Sequence, residues 1–421
     1  MNSSLKLAQE KLDVKNKSRA NVFNWRGQFT PEFVDYLLDS FSKPDDIILE
    51  PFSGSGTVLS ECSRKNLSCY GYEINPAAYA MSKFFTFANV SRAERIEILA
   101  AFEAKLLKLI PYFQDLPLFV ESRQFRQSFK NLIEFSNTLL ATISDKQEKV
   151  LALNILFLAE GNKNPDLRNS IFESFAFIKK TLLSLPYTEK TISARLGDAR
   201  SIDKICPVKG NIILTSPPYI NVFNYHQNYR AIVETLGADI LKVAQSEFGS
   251  NRKNRGNRFK TVVQYCLDME QALKSFWTSL DKNGLIILVI GRESNVRRVA
   301  FYNGLIIKDV IRGIGGFTDL KNFERKFTNK FGNNIKEDII VFKKEEGPPR
   351  NDCARNVALK HLKIALQQAS SDVKNDISNA IEQIDTIQPS PIFNAEYEEI
   401  QAFIDAVWYD PDEALKRGSF V

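Results

Sequence analysis

Residues 47–76 constrain the fold more than any other stretch of the chain. Ile47-Ile48-Leu49 is a short apolar run of the kind that forms a buried strand. It leads into Glu50-Pro51-Phe52-Ser53-Gly54-Ser55-Gly56-Thr57, and an apolar-periodic helix begins near Val58. A second strand, Cys69–Tyr72, ends at Glu73-Ile74-Asn75-Pro76, where Pro76 opens another helix. This strand, glycine loop, helix and strand are the start of a doubly wound α/β sheet. Glycines between a strand and a helix make a plain tight turn, or let a ligand approach the backbone closely.

The details of this unit narrow the ligand. Position 59 is leucine, so the third glycine of a phosphate cradle is absent, and there is no Walker lysine. Glu73 ends the second strand, where a carboxylate can accept both hydroxyls of a ribose. A nucleoside without a pyrophosphate is implied, and S-adenosylmethionine fits better than NAD or ATP.

The rest of the chain divides by pattern. Residues 1–20 read as a polar N-terminal arm, and 21–90 as the cofactor-binding half. Thr30 and Pro31 mark a helix start. From 91 to 190 apolar residues recur at helical spacing, as in Leu99, Phe102, Leu106 and Ile110, which predicts a helical insertion. The sheet resumes at Thr191–Leu196 and Asn211–Leu214, and residues 191–345 form the catalytic half. A helix is expected over Thr261–Leu280, a buried strand at Leu285–Ile290, and closing strands at Leu305–Ile311 and Asp338–Phe342. Gly347-Pro348-Pro349 begins an acidic helical tail over 346–421, with one amphipathic helix over about 354–384.

Thr215-Ser216-Pro217-Pro218-Tyr219 follows the Asn211–Leu214 strand. The prolines fix φ and leave their carbonyls as acceptors on a stiff loop, between a hydroxyl and an aromatic ring. Such a loop can hold a flat heterocycle and accept protons from its exocyclic amine; a rigid turn is the plainer alternative. Residues 191–345 carry a net charge of +10, whereas 346–421 carry −6, within a total of +6. The positive field therefore surrounds the Pro-Pro loop, and a polyanion is its expected partner.

Together these motifs resemble the amino-group DNA methyltransferases, with the cytosine-N4 type the nearest pattern. The family's cofactor loop, (D/E)PFxGxGT, is matched by Glu50–Thr57. Its ribose acid is matched by Glu73 in Glu-Ile-Asn-Pro, and its acid near the adenine by Asp198 in Gly-Asp-Ala. Its catalytic loop, (D/N/S)PP(Y/F/W), is matched by Ser216–Tyr219, and an aromatic motif beside the cofactor by Trp25–Glu32. The resemblance implies a Rossmann-like S-adenosylmethionine methyltransferase fold. Its cofactor set would be Trp25, Phe29, Glu50, Pro51, Phe52, Gly54, Gly56, Thr57, Glu73, Asn75, Asp198 and Thr215. Its catalytic set would be Ser216, Pro217, Pro218 and Tyr219. Serine in place of aspartate favours cytosine-N4, with adenine-N6 or an RNA amino group as alternatives. No Pro-Cys dipeptide supplies the nucleophile of ring-carbon methylation. The order of motifs is not the permuted one common among cytosine-N4 enzymes.

Double-stranded DNA is the implied substrate, with a restriction endonuclease acting on the same site as a further partner. Arg252, Lys253, Arg255, Arg258 and Lys260 lie in a stretch without an acid, and read as phosphate contacts or as a solvated loop. His226 reads as a surface or capping histidine, or as part of the base pocket; Asn221 and Asn224 touch the base or satisfy their own loop. Five cysteines without a CxxC pair, two histidines and no membrane-length apolar run point to the cytoplasm, with no structural metal.

Overall fold

The computed structural model describes residues 6–15, 17–109, 124–220, 225–249, 254, 256–328, 332–349, 352–394 and 403. Its first half contains α1 (Gln9–Asp13), α2 (Pro31–Phe41), β1 (Ile47–Glu50), α3 (Thr57–Arg64), β2 (Ser68–Glu73) and α4 (Pro76–Phe84). The insertion follows as α5 (Arg92–Leu109), α6 (Gln124–Thr142), α7 (Lys146–Gly161) and α8 (Leu167–Ser184). Then come β3 (Ile192–Leu196), α9 (Ile202–Ile205), β4 (Gly210–Thr215), α10 (Arg230–Glu234), α11 (Ile240–Val243), α12 (Lys260–Ser279) and β5 (Leu280–Gly291). The chain continues through β6 (Glu293–Val296), β7 (Val299–Tyr302), α13 (Asn303–Ile314), β8 (Phe317–Thr328), β9 (Asn334–Lys344), α14 (Ala354–Gln368) and α15 (Ser371–Glu382).

Seven strands form one sheet in the order β3-β2-β1-β4-β5-β9-β8. The first five are parallel, while β9 lies antiparallel to both β5 and β8. Strand order reverses between β1 and β4, so the crevice of a doubly wound sheet opens at their carboxyl ends. Alternation sends Ile48, Ile212, Leu214 and Ile287 to one face and Leu49, Ile213, Ile286 and Leu288 to the other. Both faces are buried, as helix-covered parallel strands require.

The insertion packs on the first face and shares its core with α4. Asn154 in α7 donates to the Ala80 carbonyl at 2.9 Å. Buried Arg95 clasps the carbonyls of Val90, Leu182, Leu185 and Pro186, tying the start of the insertion to its end. The second face is covered by α12 and α13, and beyond them by α14 and α15.

Two expectations are corrected. Leu305–Ile311 is helical, inside α13, where Ile306, Ile307, Val310, Ile311 and Ile314 are buried and Leu305 is 53% exposed. A 3.6-residue period, not alternation, governs the stretch. The closing strand beside β9 is instead β8, whose charged residues suit its edge position. The tail helix is also two helices, interrupted at Ala369-Ser370, where the chain turns extended.

Candidate functional site

A cavity of about 940 Å3, mouth included, lies at the carboxyl ends of β1, β2 and β4. The glycine loop builds one wall. The Ser53 N–H donates to the Tyr72 carbonyl at 2.9 Å, and Gly54, at φ +53°, donates its N–H to Glu73 Oε2 at 2.8 Å. A side chain at Gly54 would meet Trp25 Cδ1 at 3.2 Å. Trp25 in turn stacks on Tyr225, their ring centres 5.8 Å apart.

Most of the expected cofactor residues converge here. Trp25 and Phe29 line one side of the cavity; Glu50, Pro51, Phe52, Gly54 and Thr57 line the glycine-loop side, and Glu73, Asn75 and Asp198 the next. Gly56 and Thr215 do not line it. A Cβ on Gly56 would sit 2.8 Å from Ser82 Cα, so this glycine allows the loop to close onto α4. Thr215 Oγ1 accepts from the Phe52 N–H at 3.2 Å and pins the two loops together.

Ser216, Pro217, Pro218 and Tyr219 line the opposite wall. The two proline carbonyls are not equivalent. Pro218 accepts the Tyr265 hydroxyl at 3.0 Å, whereas no donor among the described residues takes the Pro217 carbonyl. Ser216 Oγ stands 3.4 Å from the Tyr219 hydroxyl. The Tyr219 ring lies on Gly291 at the end of β5, where a Cβ would come within 2.7 Å of Cε2. Burial raises the Tyr219 hydroxyl well above its ordinary value and keeps it protonated.

The cavity is acidic. Burial pushes Glu73 up to about 7, against three backbone N–H donors that favour its charge, and the Glu247 charge adds to the rise. Burial also raises Glu50 well above its ordinary value, despite the Ser53 hydroxyl at 2.9 Å, with the Glu73 charge adding. Glu247 is 7% exposed and meets His226 Nδ1 at 3.0 Å, so the histidine is neither a surface nor a capping residue. Sequence reasoning missed Tyr225, Glu247, Phe248 and Gly291, which carry no local motif and join the site only through the tertiary fold.

Asp198 is on the cavity wall, with its carboxylate taken up by neighbours. It lines the cavity but is 1% exposed, and its oxygens accept from the Arg200 N–H, the Arg200 guanidinium and the Phe393 N–H. Four acceptor positions are filled, which leaves no lone pair for a ligand. Of the basic stretch, Arg258 is exposed, and Lys260 bonds Gln383 in the helical tail. Neither lines the cavity. Arg252, Lys253, Arg255, Asn221 and Asn224 lie outside the described residues. Among the described residues no group of three or more metal-ligating side chains is placed to hold an ion, and no helix is long and apolar enough to cross a membrane.

Residues 7–84 match the DNA methylase family model, N6_N4_Mtase. A 72-residue stretch is 33% identical to Type II methyltransferase M.MjaII of Methanocaldococcus jannaschii, covering 17% of this chain and 14% of that protein. Over 303 residues the chain is 22% identical to Type II methyltransferase M.BsoBI of Geobacillus stearothermophilus, covering 60% and 59%. The chain thus spans less than two thirds of the length of either relative. Among solved structures, TrmN from Thermus thermophilus aligns with a TM-score of 0.30 and 13% identity, over 76% of this chain and 50% of that one. The fold rests on the strand order and not on that alignment.

A doubly wound sheet with a glycine loop and a carboxylate at its switch point is the Rossmann-like architecture to which S-adenosylmethionine methyltransferases belong. Within that class the segment 7–84 matches the amino-group DNA methyltransferase family, and the chain is similar to two type II methyltransferases. S-adenosylmethionine is the cofactor, and the residues present fit it. Glu73, with three backbone N–H donors on it, keeps an acceptor position for the ribose, and acidic walls suit a ligand with a net positive charge. Asn75, which lines the same cavity, caps α4 by accepting from Ala77 and Ala78 at Oδ1, while its buried Nδ2 has no acceptor among the described residues.

Proposed function

We propose that this chain is a site-specific DNA methyltransferase that modifies the exocyclic N4 amino group of a cytosine turned out of the duplex. Its role would be the modification half of a type II restriction–modification system. One observation carries the reading: the Ser216 and Pro217 acceptors line the same cavity as Glu73 and Asn75. The relatives' descriptions as type II methyltransferases support it.

When bound, S-adenosylmethionine supplies an electrophilic methyl group, so no covalent enzyme intermediate is needed. Glu73 and Asn75 hold the nucleoside, and Trp25, Phe29 and Phe52 enclose it. Ser216 Oγ and the Pro217 carbonyl each accept a hydrogen bond from one N–H of the target amine. That frees the nitrogen lone pair from the ring and aims it along the line of transfer. One of these protons is released to solvent once the methyl group is attached. Tyr219 and the stiff Pro-Pro backbone fix the plane of the base.

The test is to incubate the protein with isotope-labelled cofactor and either DNA or matched RNA, then identify methylated nucleosides by mass spectrometry. N4-methylcytosine from DNA is expected. N6-methyladenine, or label confined to RNA, would replace the substrate part of the reading.

Cofactor affinity should depend on pH through Glu73. Its ionised form attracts the cationic ligand, so protons compete below about pH 7. The Kd should rise as pH falls from about 8 to about 6, approaching a decade per unit at the acid end. For the free protein the sign is opposite: a raised carboxyl lowers stability as pH rises from 4.5 to about 7. Calorimetric titration across this range checks the first, and a flat profile would remove Glu73 from the site. Arg252, Lys253, Arg255 and Arg258 are assigned to phosphate contact. Alanine at the first three should make log Kd for DNA less steep in log salt by roughly two to three units, readable by fluorescence anisotropy.

A further inference from the structure

Four carboxylates line the cavity; Asp198 is taken up by Arg200 and the Phe393 N–H, and the other three come from separate parts of the chain: Glu50 at the end of β1, Glu73 at the end of β2, and Glu247 beyond α11. The first two belong to the 7–84 segment that the family model matches; Glu247 does not. Glu247 is 7% exposed and its partner His226 is 4% exposed, so neither is a surface group drifting over the mouth. The histidine meets Oε2 at 3.0 Å and fixes the carboxylate in place. Glu247 lies near enough to Glu73 and Tyr225 for its charge to raise both. Arg26 is the one cation among the described lining residues, and it is exposed. An acidic cluster alone does not make a site, but Asn75, which also lines this cavity and is 2% exposed, has an Nδ2 without an acceptor among the described residues. That donor independently marks the space as built for a polar ligand.

We propose that Glu247, held by His226, makes the cavity discriminate between the cationic cofactor and the neutral thioether left after methyl transfer. The sulfonium and ammonium of S-adenosylmethionine outweigh its carboxylate by one positive charge, and transfer removes that charge. Ribose, adenine and Asn75 contacts are common to both molecules, so they cannot tell one from the other. A buried carboxylate can, because its attraction to the lost charge acts in a medium of low effective dielectric. The consequence is that methyl transfer itself weakens the hold on the spent cofactor. This inference rests on the cofactor assignment above and adds a residue that decides between its two forms.

The experiment is calorimetric titration of the full chain with S-adenosylmethionine and, separately, with S-adenosylhomocysteine. In Glu247→Gln, which keeps the shape, the ratio of the thioether Kd to the sulfonium Kd should fall roughly 10-fold, through weaker sulfonium binding. His226→Gln, which loosens the carboxylate without removing it, should lower the ratio by about 3-fold. Asn75→Ala should weaken both ligands by the same factor and leave the ratio alone. Equal weakening of both ligands by Glu247→Gln, or no change in either, would overturn the proposal. Failure of the unaltered protein to bind either ligand would overturn the cofactor assignment beneath it, which is a separate result.

Discussion

Ser216→Ala should lower the rate of methyl transfer by about 10²- to 10³-fold and leave the Kd for the cofactor within about twofold. The split follows from where the hydroxyl stands. Ser216 Oγ lies on the Pro-Pro wall, across the cavity from Glu73 and Asn75, and its one described contact is the Tyr219 hydroxyl at 3.4 Å. At that length the contact contributes little to folding. The loop is held instead by Tyr265 on the Pro218 carbonyl, by Thr215 on the Phe52 N–H, and by Gly291 beneath the Tyr219 ring. Removing the hydroxyl therefore deletes one of two acceptors for the amine protons and disturbs little else. The remaining acceptor, the Pro217 carbonyl, keeps a residual rate. Single-turnover kinetics and cofactor titration on the same preparation separate the two quantities. Equal losses in rate and in cofactor affinity would show that the serine shapes the cavity rather than the reaction, and an unchanged rate would remove it from the mechanism. Ser216→Thr, which preserves the acceptor, should recover most of the rate.

The sequence exposes those parts of this site that are local. Glu50 to Thr57 and Glu73 to Pro76 are read correctly because a strand, a loop and a helix follow one another within thirty residues. Each then lands on the cavity by topology alone, since the switch point collects the carboxyl ends of β1, β2 and β4. Residues 305–311 mislead because five apolar side chains in seven positions satisfy a buried strand as well as a buried helix. Their helical state is decided by packing against α12 and α14. Glu247 and Gly291 have no motif, and nothing before folding indicates that the first lines the cavity or that the second meets the Tyr219 ring. Asp198 teaches a different lesson. An acid after a strand invites a ligand, yet Arg200 stands two residues away and takes both its oxygens. The charge count of the basic segment is similarly blind to partners, because Lys260 bonds to the acidic tail.

Arg200→Met should destabilise the protein by about 3–5 kcal/mol, the largest stability effect expected of any single exchange proposed here. The Arg200 side chain has no exposed surface, and neither does that of Asp268. Its guanidinium reaches Asp198 at 2.5 Å, Asp268 at 3.1 Å, and the carbonyls of Ser390 and Pro391 at 2.6 and 2.7 Å. It also lies 4.9 Å from the centre of the Phe248 ring, which lines the cavity. Methionine fills much of the volume but leaves two carboxylates buried without their cation. The penalty must then depend on pH. Burial already lifts Asp268 to about 6, with Arg200 and Ser390 opposing, so between 3.8 and about 6 the native state binds more protons than the unfolded one. Stability from this group falls as pH rises through that window, and loss of Arg200 raises Asp268 further and widens it. The variant should therefore lose more at pH 8 than at pH 5, as urea midpoints at the two values will show. Adding Asp198→Asn and Asp268→Asn should restore part of the loss by removing the stranded charges. The same network grips the tail from Ser390 to Phe393 against the cavity wall. Arg200→Met should accordingly weaken cofactor binding as well, by roughly the fraction of molecules in which Phe248 leaves its place, although Arg200 itself does not line the cavity.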